Sequence, residues 1–239
     1  MPLGLRPLTA RSVILSILLG SHPARLPVRV LVRLGDLFGI SEGTLRVALS
    51  RMAADGEVLA ADGWYDLSPR LLARQQRLDQ GRSPEVRVWR GRWELAVVRA
   101  EVVGTPRVEA IDALTELRLG SLREGVWLRP ANLARSWPES LTGCDRFEVI
   151  PGEDPVDLAS RLWDLPAWAA RSRILLGELR DEKSAARRFT LAAAIARHLR
   201  TDPVLPPKLL PSDWPGPALR RAYRGYETEL NRLLGHTTG

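Results

Sequence analysis

A single cysteine, Cys144, stands in a chain of 239 residues, so no intrachain disulfide and no cysteine-based metal cluster can be built by one copy. Histidine is nearly as scarce: His22, His198 and His236 are far apart, and none has a neighbour at metal-ligand spacing. Long apolar runs are missing. Val13–Leu19 is bounded by Arg11 and His22, too short to cross a bilayer, and without the small-residue cleavage pattern of a secretory signal. No Gly-x-Ser-x-Gly elbow, Walker loop or dinucleotide fingerprint occurs. A pairing of Cys144 with His198 is the one nucleophile arrangement available, and a lone cysteine is ordinarily packed. The absences predict no catalytic residue, no metal, no cofactor and no membrane partner, in a cytoplasmic protein.

What is present is a chain that is 45% hydrophobic, enough for one large core or two to three small ones. Its formal charge of +7 is spread thinly and forms no basic tail; this permits a polyanionic partner without requiring one. All but two of its 35 basic residues are arginines, the lysines being Lys183 and Lys208.

Hydrophobic periodicity predicts a helix capped by Thr9, with Val13, Ile14, Ile17 and Leu18 inward and its end at Gly20. A loop is expected over Ser21–Pro27, then a helix over Val28–Phe38. A further helix capped by Ser41 carries Leu45, Ala48, Leu49 and Met52 as an apolar stripe. Glu57–Ala60 and Trp64–Leu67 flank Asp62-Gly63, a strong hairpin signal. Residues 68–80 read as a brief helix or linker. Strands follow at Trp93–Val98, Gly125–Leu128 and Phe147–Ile150, with a helix over Arg107–Leu117; this is the element order of a small α+β sandwich. From Asp154 the pattern is helical, over Asp157–Leu165, Ala170–Leu179, Ala185–Leu199 and Leu219–Leu234, the last with Leu230, Leu233 and Leu234 on its apolar side.

The most informative segment is helix, Phe38-Gly39-Ile40-Ser41 turn, helix, hairpin. A stripe at Leu45, Leu49 and Met52 turns Gly43, Arg46, Val47, Ser50 and Arg51 outward, with Thr44 on the flank. Arginine donates twice to guanine, serine and threonine bond base edges or phosphates, and valine meets a thymine methyl. The helix start at Ser41 offers free N–H groups to a phosphate. The hairpin tip, Ala60-Ala61-Asp62-Gly63, has no basic residue; Arg25, Arg29 and Arg33 are placed to compensate. The same pattern also suits a protein-binding winged-helix module or, for the three arginines, a plain solvated helix edge.

Arg11-Ser12-Val13-Ile14-Leu15, Phe38-Gly39-Ile40-Ser41 and Thr44–Met52 together resemble the N-terminal domain of the PaaX family of transcriptional repressors of phenylacetate catabolism. Trp93–Val98 with Leu117–Pro130, including Gly125-Val126-Trp127-Leu128, looks like that family's central, Cas2-like ferredoxin fold. Asp202-Pro203, Leu205-Pro206-Pro207, Leu209-Leu210-Pro211 and Asp213-Trp214-Pro215-Gly216 look like its C-terminal signature. The resemblance implies an α+β chain with a winged helix-turn-helix over 1–80, a ferredoxin-like domain over 85–150, and a helical domain over 151–239 for dimerisation or effector binding. It implies a homodimer on double-stranded DNA bearing an inverted repeat, released by an acyl-CoA thioester. Two departures stand out: a wing short of positive charge, and Val98-Arg99-Ala100-Glu101 where the family has an acidic-proline stretch.

An acyl-CoA site needs an apolar cleft and cations. Trp127, Trp163, Trp168 and Trp214 are candidate liners, Arg171 and Arg173 candidate phosphate partners, and Arg187 and Arg188 further ones; core packing and a solvated helix face are the competing readings. Trp89 and Trp93 beside Arg87, Arg90 and Arg92 mark a domain junction. The Cas2-like resemblance raises metal-dependent cleavage of nucleic acid, for which Glu101 is the nearest acid after the first central strand.

Overall fold

The computed structural model describes residues 9–235; the expectations placed on His236 and on the side chains of Leu233 and Leu234 lie outside the described residues. The fold is α+β, helical towards both ends with two sheets between. Two compact units divide the chain, one of Met1–Arg82, Ile174–Arg197 and Ala218–Gly239, the other of Ser83–Arg173 and His198–Pro217.

The first unit opens with α1 (Ala10–Gly20), whose N-terminus is held by the Thr9 hydroxyl accepting from Ser12 N–H at 3.2 Å. Val13, Ile14, Leu15, Ile17, Leu18 and Leu19 are all buried, each contributing roughly 1.5–3 kcal/mol of transfer free energy. Strand β1 (Arg25–Pro27) follows, then α2 (Val28–Asp36), α3 (Glu42–Ala54), the hairpin β2 (Val58–Ala61) and β3 (Trp64–Leu67), and α4 (Pro69–Arg82). The hairpin turns at Asp62 and Gly63, both with positive φ, 51° and 77°; this double left-handed geometry is why Asp-Gly marks such a turn.

Strand β1 corrects the loop expected over Ser21–Pro27: it pairs antiparallel with β3, giving the order β1-β3-β2. Gln75 on α4 is buried, and its Nε2 donates to the carbonyls of Leu18, Leu19 and Ser21 at 2.9 to 3.3 Å. A helix end otherwise leaves such carbonyls without partners.

The second unit is built on β4 (Trp93–Val98), α5 (Thr105–Glu116), β5 (Gly120–Arg123), β6 (Val126–Pro130) and β7 (Cys144–Val149). Its sheet runs β5-β6-β4-β7, antiparallel at each step. Strand β5 adds to the expected elements, and β7 starts earlier than the Phe147–Ile150 reading. Arg129 on β6 is fully buried. Its guanidinium donates to carbonyls of Leu117, Arg118, Pro130 and Pro203 and to Asn132 Oδ1 at 2.8 to 3.4 Å. Burial pulls its pKa down to about 9, which leaves it charged at neutral pH.

Helices α6 (Pro155–Leu162), α7 (Leu165–Asp181), α8 (Ala185–Arg200) and α9 (Gly216–Gly235) complete the chain. Within the second unit Trp168 stacks on His198 and on Trp214, each at 4.6 Å between ring centroids.

Candidate nucleic-acid interface

Three buried side chains set the orientation of α3: Leu45, Leu49 and Met52 are at most 1% exposed. Ser41 caps the helix, its hydroxyl accepting from Thr44 N–H at 3.3 Å and sharing a hydrogen bond with the Thr44 hydroxyl at 2.9 Å. Ser41, Gly43, Thr44, Arg46, Val47, Ser50 and Arg51 are all exposed. The space above Gly43 is open within 4 Å of where a Cβ would sit. This is the outward set read from the stripe, on one helix, with none of the described residues laid over it.

The helix reaches its seat through Gly35 of α2. A Cβ there would stand 2.5 Å from Leu45 Cδ1, so a larger residue at that position makes the Leu45 side chain shift. The turn between them places Gly39 at φ 67°, and Ile40 N–H donates to Gly35 O at 3.0 Å.

The charges around α3 are mixed. Arg46 Nε donates to Glu42 Oε1 at 2.7 Å, an exposed pair one helical turn apart; in water such a pair is worth roughly 0.3–0.5 kcal/mol, so it holds Arg46 only loosely. Arg51 has no ion-pair partner among the described residues. Arg29 and Arg33 stand one turn apart on the exposed side of α2, likewise without ion pairs among the described residues. Arg25 is engaged elsewhere: it lies 5.1 Å over the Trp64 ring and 3.6 Å from Asp66. The hairpin tip is exposed and carries Asp62 with no cation beside it in sequence.

The six residues expected to bind an effector are only partly gathered. Trp168 and Trp214 stack together, and Arg173 pairs with Asp213 next to Trp214. Trp163 packs, like Trp214, against the core around Trp93, Leu158 and Leu209, while Trp127 packs against a different core around Leu114 and Leu141. Arg171 is exposed.

The nucleophile reading of Cys144 finds no support in its surroundings. Burial pushes the thiol up, away from thiolate. His198 instead lies 3.0 Å from the Ser172 hydroxyl, which itself bonds to Trp168 O at 2.9 Å; a serine that donates to a carbonyl and accepts from an imidazole is a structural link. Glu101 pairs with Arg99 at 3.2 Å, and no group of three potential metal ligands occurs among the described residues.

What the sequence did not single out is the junction of α8 and α9 with α1 and α2. There Phe189 meets Phe38 edge-on at 4.8 Å, and Tyr226 and Leu230 pack against the same core. Phe189 on an alanine-rich helix, a phenylalanine before a glycine turn and Leu230 on the apolar side of the last helix were local signals.

A family of regulators is what this arrangement and the comparisons define together. Residues 9–71 match the family described as PaaX-like protein, and residues 163–235 match the PaaX-like protein C-terminal domain. No protein of curated function matches the chain. Among solved structures, the uncharacterized protein Rv0674 from Mycobacterium tuberculosis is similar, with 42% identity, 97% of this chain and 99% of that chain covered, and a TM-score of 0.84. The chain belongs to the PaaX-like family, whose members are DNA-binding transcriptional regulators and not enzymes. No helix among the described residues is long and apolar enough to cross a membrane.

Proposed function

We propose that the chain is a homodimeric, cytoplasmic repressor that reads double-stranded DNA with α3. In this reading residues 1–80 are a winged helix-turn-helix: α2 and α3 are its two helices and β2–β3 its wing. Residues 85–150 are a ferredoxin-like, Cas2-like domain. The order β4, α5, β5, β6, β7, with β4 and β6 central, supports this; a short 3-10 turn at Glu139–Leu141 stands where a second helix belongs. Residues 151–239 form the helical domain that serves dimerisation and effector response.

The observation that carries the reading is the exposed, small and arginine-bearing side of α3, held outward by Leu45, Leu49 and Met52. Arg46, Val47, Ser50 and Arg51 meet base edges, Ser41, Gly43 and Thr44 approach the phosphate backbone at the helix start, and Arg29 and Arg33 take flanking phosphates. Two copies enter successive major grooves of an inverted repeat. A small effector, for which the resemblance implies an acyl-CoA thioester, releases them by favouring another arrangement.

The test is retardation of duplexes recovered by in vitro selection, with the wild type and the double variant Arg46→Glu/Arg51→Glu. Wild-type affinity should fall steeply with salt as counterions are released, and the double variant should lose sequence-specific retardation while keeping its fold. A protein-only adaptor would show no saturable duplex interaction at any salt, and unchanged binding by the variant would remove α3 from the interface.

A further inference from the structure

The first unit holds a cleft of about 90 Å³ open to solvent, lined by Ile17 of α1, Leu34 of α2, Phe38 just beyond α2, Phe189 of α8, and Tyr226 and Leu230 of α9. Its lining is aromatic and aliphatic, with a few polar groups. Lys183, Arg188 and Glu229 supply the charges. Arg188 is occupied: Nη1 donates to Leu179 O at 3.1 Å and Glu182 O at 3.3 Å, and Nη2 to Glu229 Oε2 at 2.7 Å. Glu229 is thereby neutralised. Lys183 is exposed and makes no ion pair among the described residues, which leaves one uncompensated positive charge on the lining.

Tyr226 adds a directional group. Burial holds its pKa above the ordinary tyrosine value, so the hydroxyl keeps its proton, and that proton has no acceptor among the described residues. An apolar cleft with one free cation and one free donor fits a ligand with an apolar body and a single anionic head.

We infer that this cavity binds a small amphiphilic anion, an aromatic or branched apolar body carrying one carboxylate or sulfonate, with the body against Phe38 and Phe189 and the charge met by Lys183 and the Tyr226 hydroxyl. The site bears on DNA because α2 lies between it and α3. Leu34 and Phe38 line the cavity, and Gly35 between them is the point where α2 touches Leu45 of α3. A body that displaces Phe38 shifts α2, and the close Gly35–Leu45 approach passes the shift to α3. This coupling rests on the DNA-reading role proposed above; the binding itself does not.

The probe is anilinonaphthalene sulfonate, an aromatic body with one anionic group, with uncharged phenylnaphthylamine as its counterpart. Saturable binding at one probe per chain is expected. Exposed Ala185, on the cavity lining, when changed Ala185→Trp should plug the cavity and weaken both probes at least about tenfold. Lys183→Glu should weaken the sulfonate by about tenfold, the scale of one charge-assisted hydrogen bond, and leave the uncharged probe within about twofold. Binding that does not saturate, or that both variants leave unchanged, overturns the site. In a second measurement, saturating sulfonate should change duplex affinity of the wild type but not of Ala185→Trp; an unchanged wild-type affinity overturns the coupling. A chain that binds no duplex even without probe overturns the DNA reading, while the first measurement still decides the cavity.

Discussion

Arg46 and Arg129 show what one residue type does at two extremes of exposure. On α3, Arg46 is more than half exposed, with a single loose partner in Glu42. On β6, Arg129 is fully enclosed, and five acceptors surround its guanidinium. The first can exchange its partner for a phosphate or a guanine edge at little cost, because water already competes for it. The second cannot be moved without taking a donor from four carbonyls and an amide oxygen, of which Leu117 O keeps Arg135 and Pro130 O keeps the Asn132 N–H. A chain whose basic residues are nearly all arginine can therefore place the same fork-shaped cation as an internal strut and, in the reading proposed above, as an external contact to DNA, and burial decides which.

The sharpest way to break the comparison is Arg129→Met. Length and apolar stem are kept while the donors vanish, so the carbonyls of Leu117, Arg118, Pro130 and Pro203 lose a partner at once. A loss of about 3–5 kcal/mol of stability is expected, read by urea denaturation. A loss below about 1 kcal/mol would mean that the guanidinium is not needed to satisfy these groups. On the exposed side, Arg46→Glu/Arg51→Glu should change stability by no more than about 0.5 kcal/mol. The same double change should weaken specific duplex binding by about 1–3 kcal/mol for each arginine that meets a base edge. Equal effects of Arg129→Met and the double change on stability would erase the distinction.

Histidine repeats the contrast on a smaller scale. His22 is exposed beside Asp79 at 2.9 Å, whereas His198 is buried, stacked on Trp168 and bonded to Ser172. Burial holds the His198 pKa below its ordinary 6.5, against the hydrogen bond to Trp168 O. As the pH falls below 6.5 the unfolded chain takes up a proton that the folded one still refuses, so stability declines from there down to the folded pKa. His198→Gln should flatten that decline. A stability curve between about pH 7 and pH 5 that is identical in wild type and variant would show that His198 does not titrate differently on folding.

These cases also mark where sequence reading succeeds. The α3 stripe was legible because Leu45, Leu49 and Met52 recur at the helical period and their neighbours are small or charged; one-sided amphipathicity is a local property. The hairpin was legible from Asp62-Gly63. Strand β1 was not, since Arg25–Pro27 is three residues long and ends in proline, with its partner far along the chain. Strand β5 begins Gly-Ser, which reads as turn. Arg129 reads as an outward strand residue because it is charged, and its burial depends on acceptors such as Pro203 O that lie far along the chain. The cavity was illegible for the same reason: Phe38 and Phe189 are 4.8 Å apart in space and far apart in the chain. Family order was visible at the level of motifs because those motifs are contiguous.

Glu57 and Arg11 occupy the middle of the scale and yield the smallest effect. Glu57 is buried while the Arg11 side chain is about half exposed, and the two are joined by two hydrogen bonds, one of them from Nε to Oε2 at 2.8 Å. The hydrogen bond from Arg11 is the main cause that holds the Glu57 carboxyl below the usual range, with Arg70 and Arg74 adding to it against the cost of burial. A lowered carboxylate pKa stabilises the folded chain above the unfolded value of 4.5 and stops doing so as the pH falls through the folded value. Because solvent screens Arg11, the pair is worth only about 0.5–1 kcal/mol. Arg11→Met should remove about that much at neutral pH, and the remaining acid dependence should shrink without vanishing, since Arg70 and Arg74 still face the carboxylate. Glu57→Gln should remove this acid dependence altogether. Denaturation midpoints compared at about pH 7 and pH 4 decide it: an unaltered difference in Glu57→Gln would mean that the carboxylate is no better solvated by its arginines than by water, and a half-exposed arginine would then belong with Arg46 and not between it and Arg129.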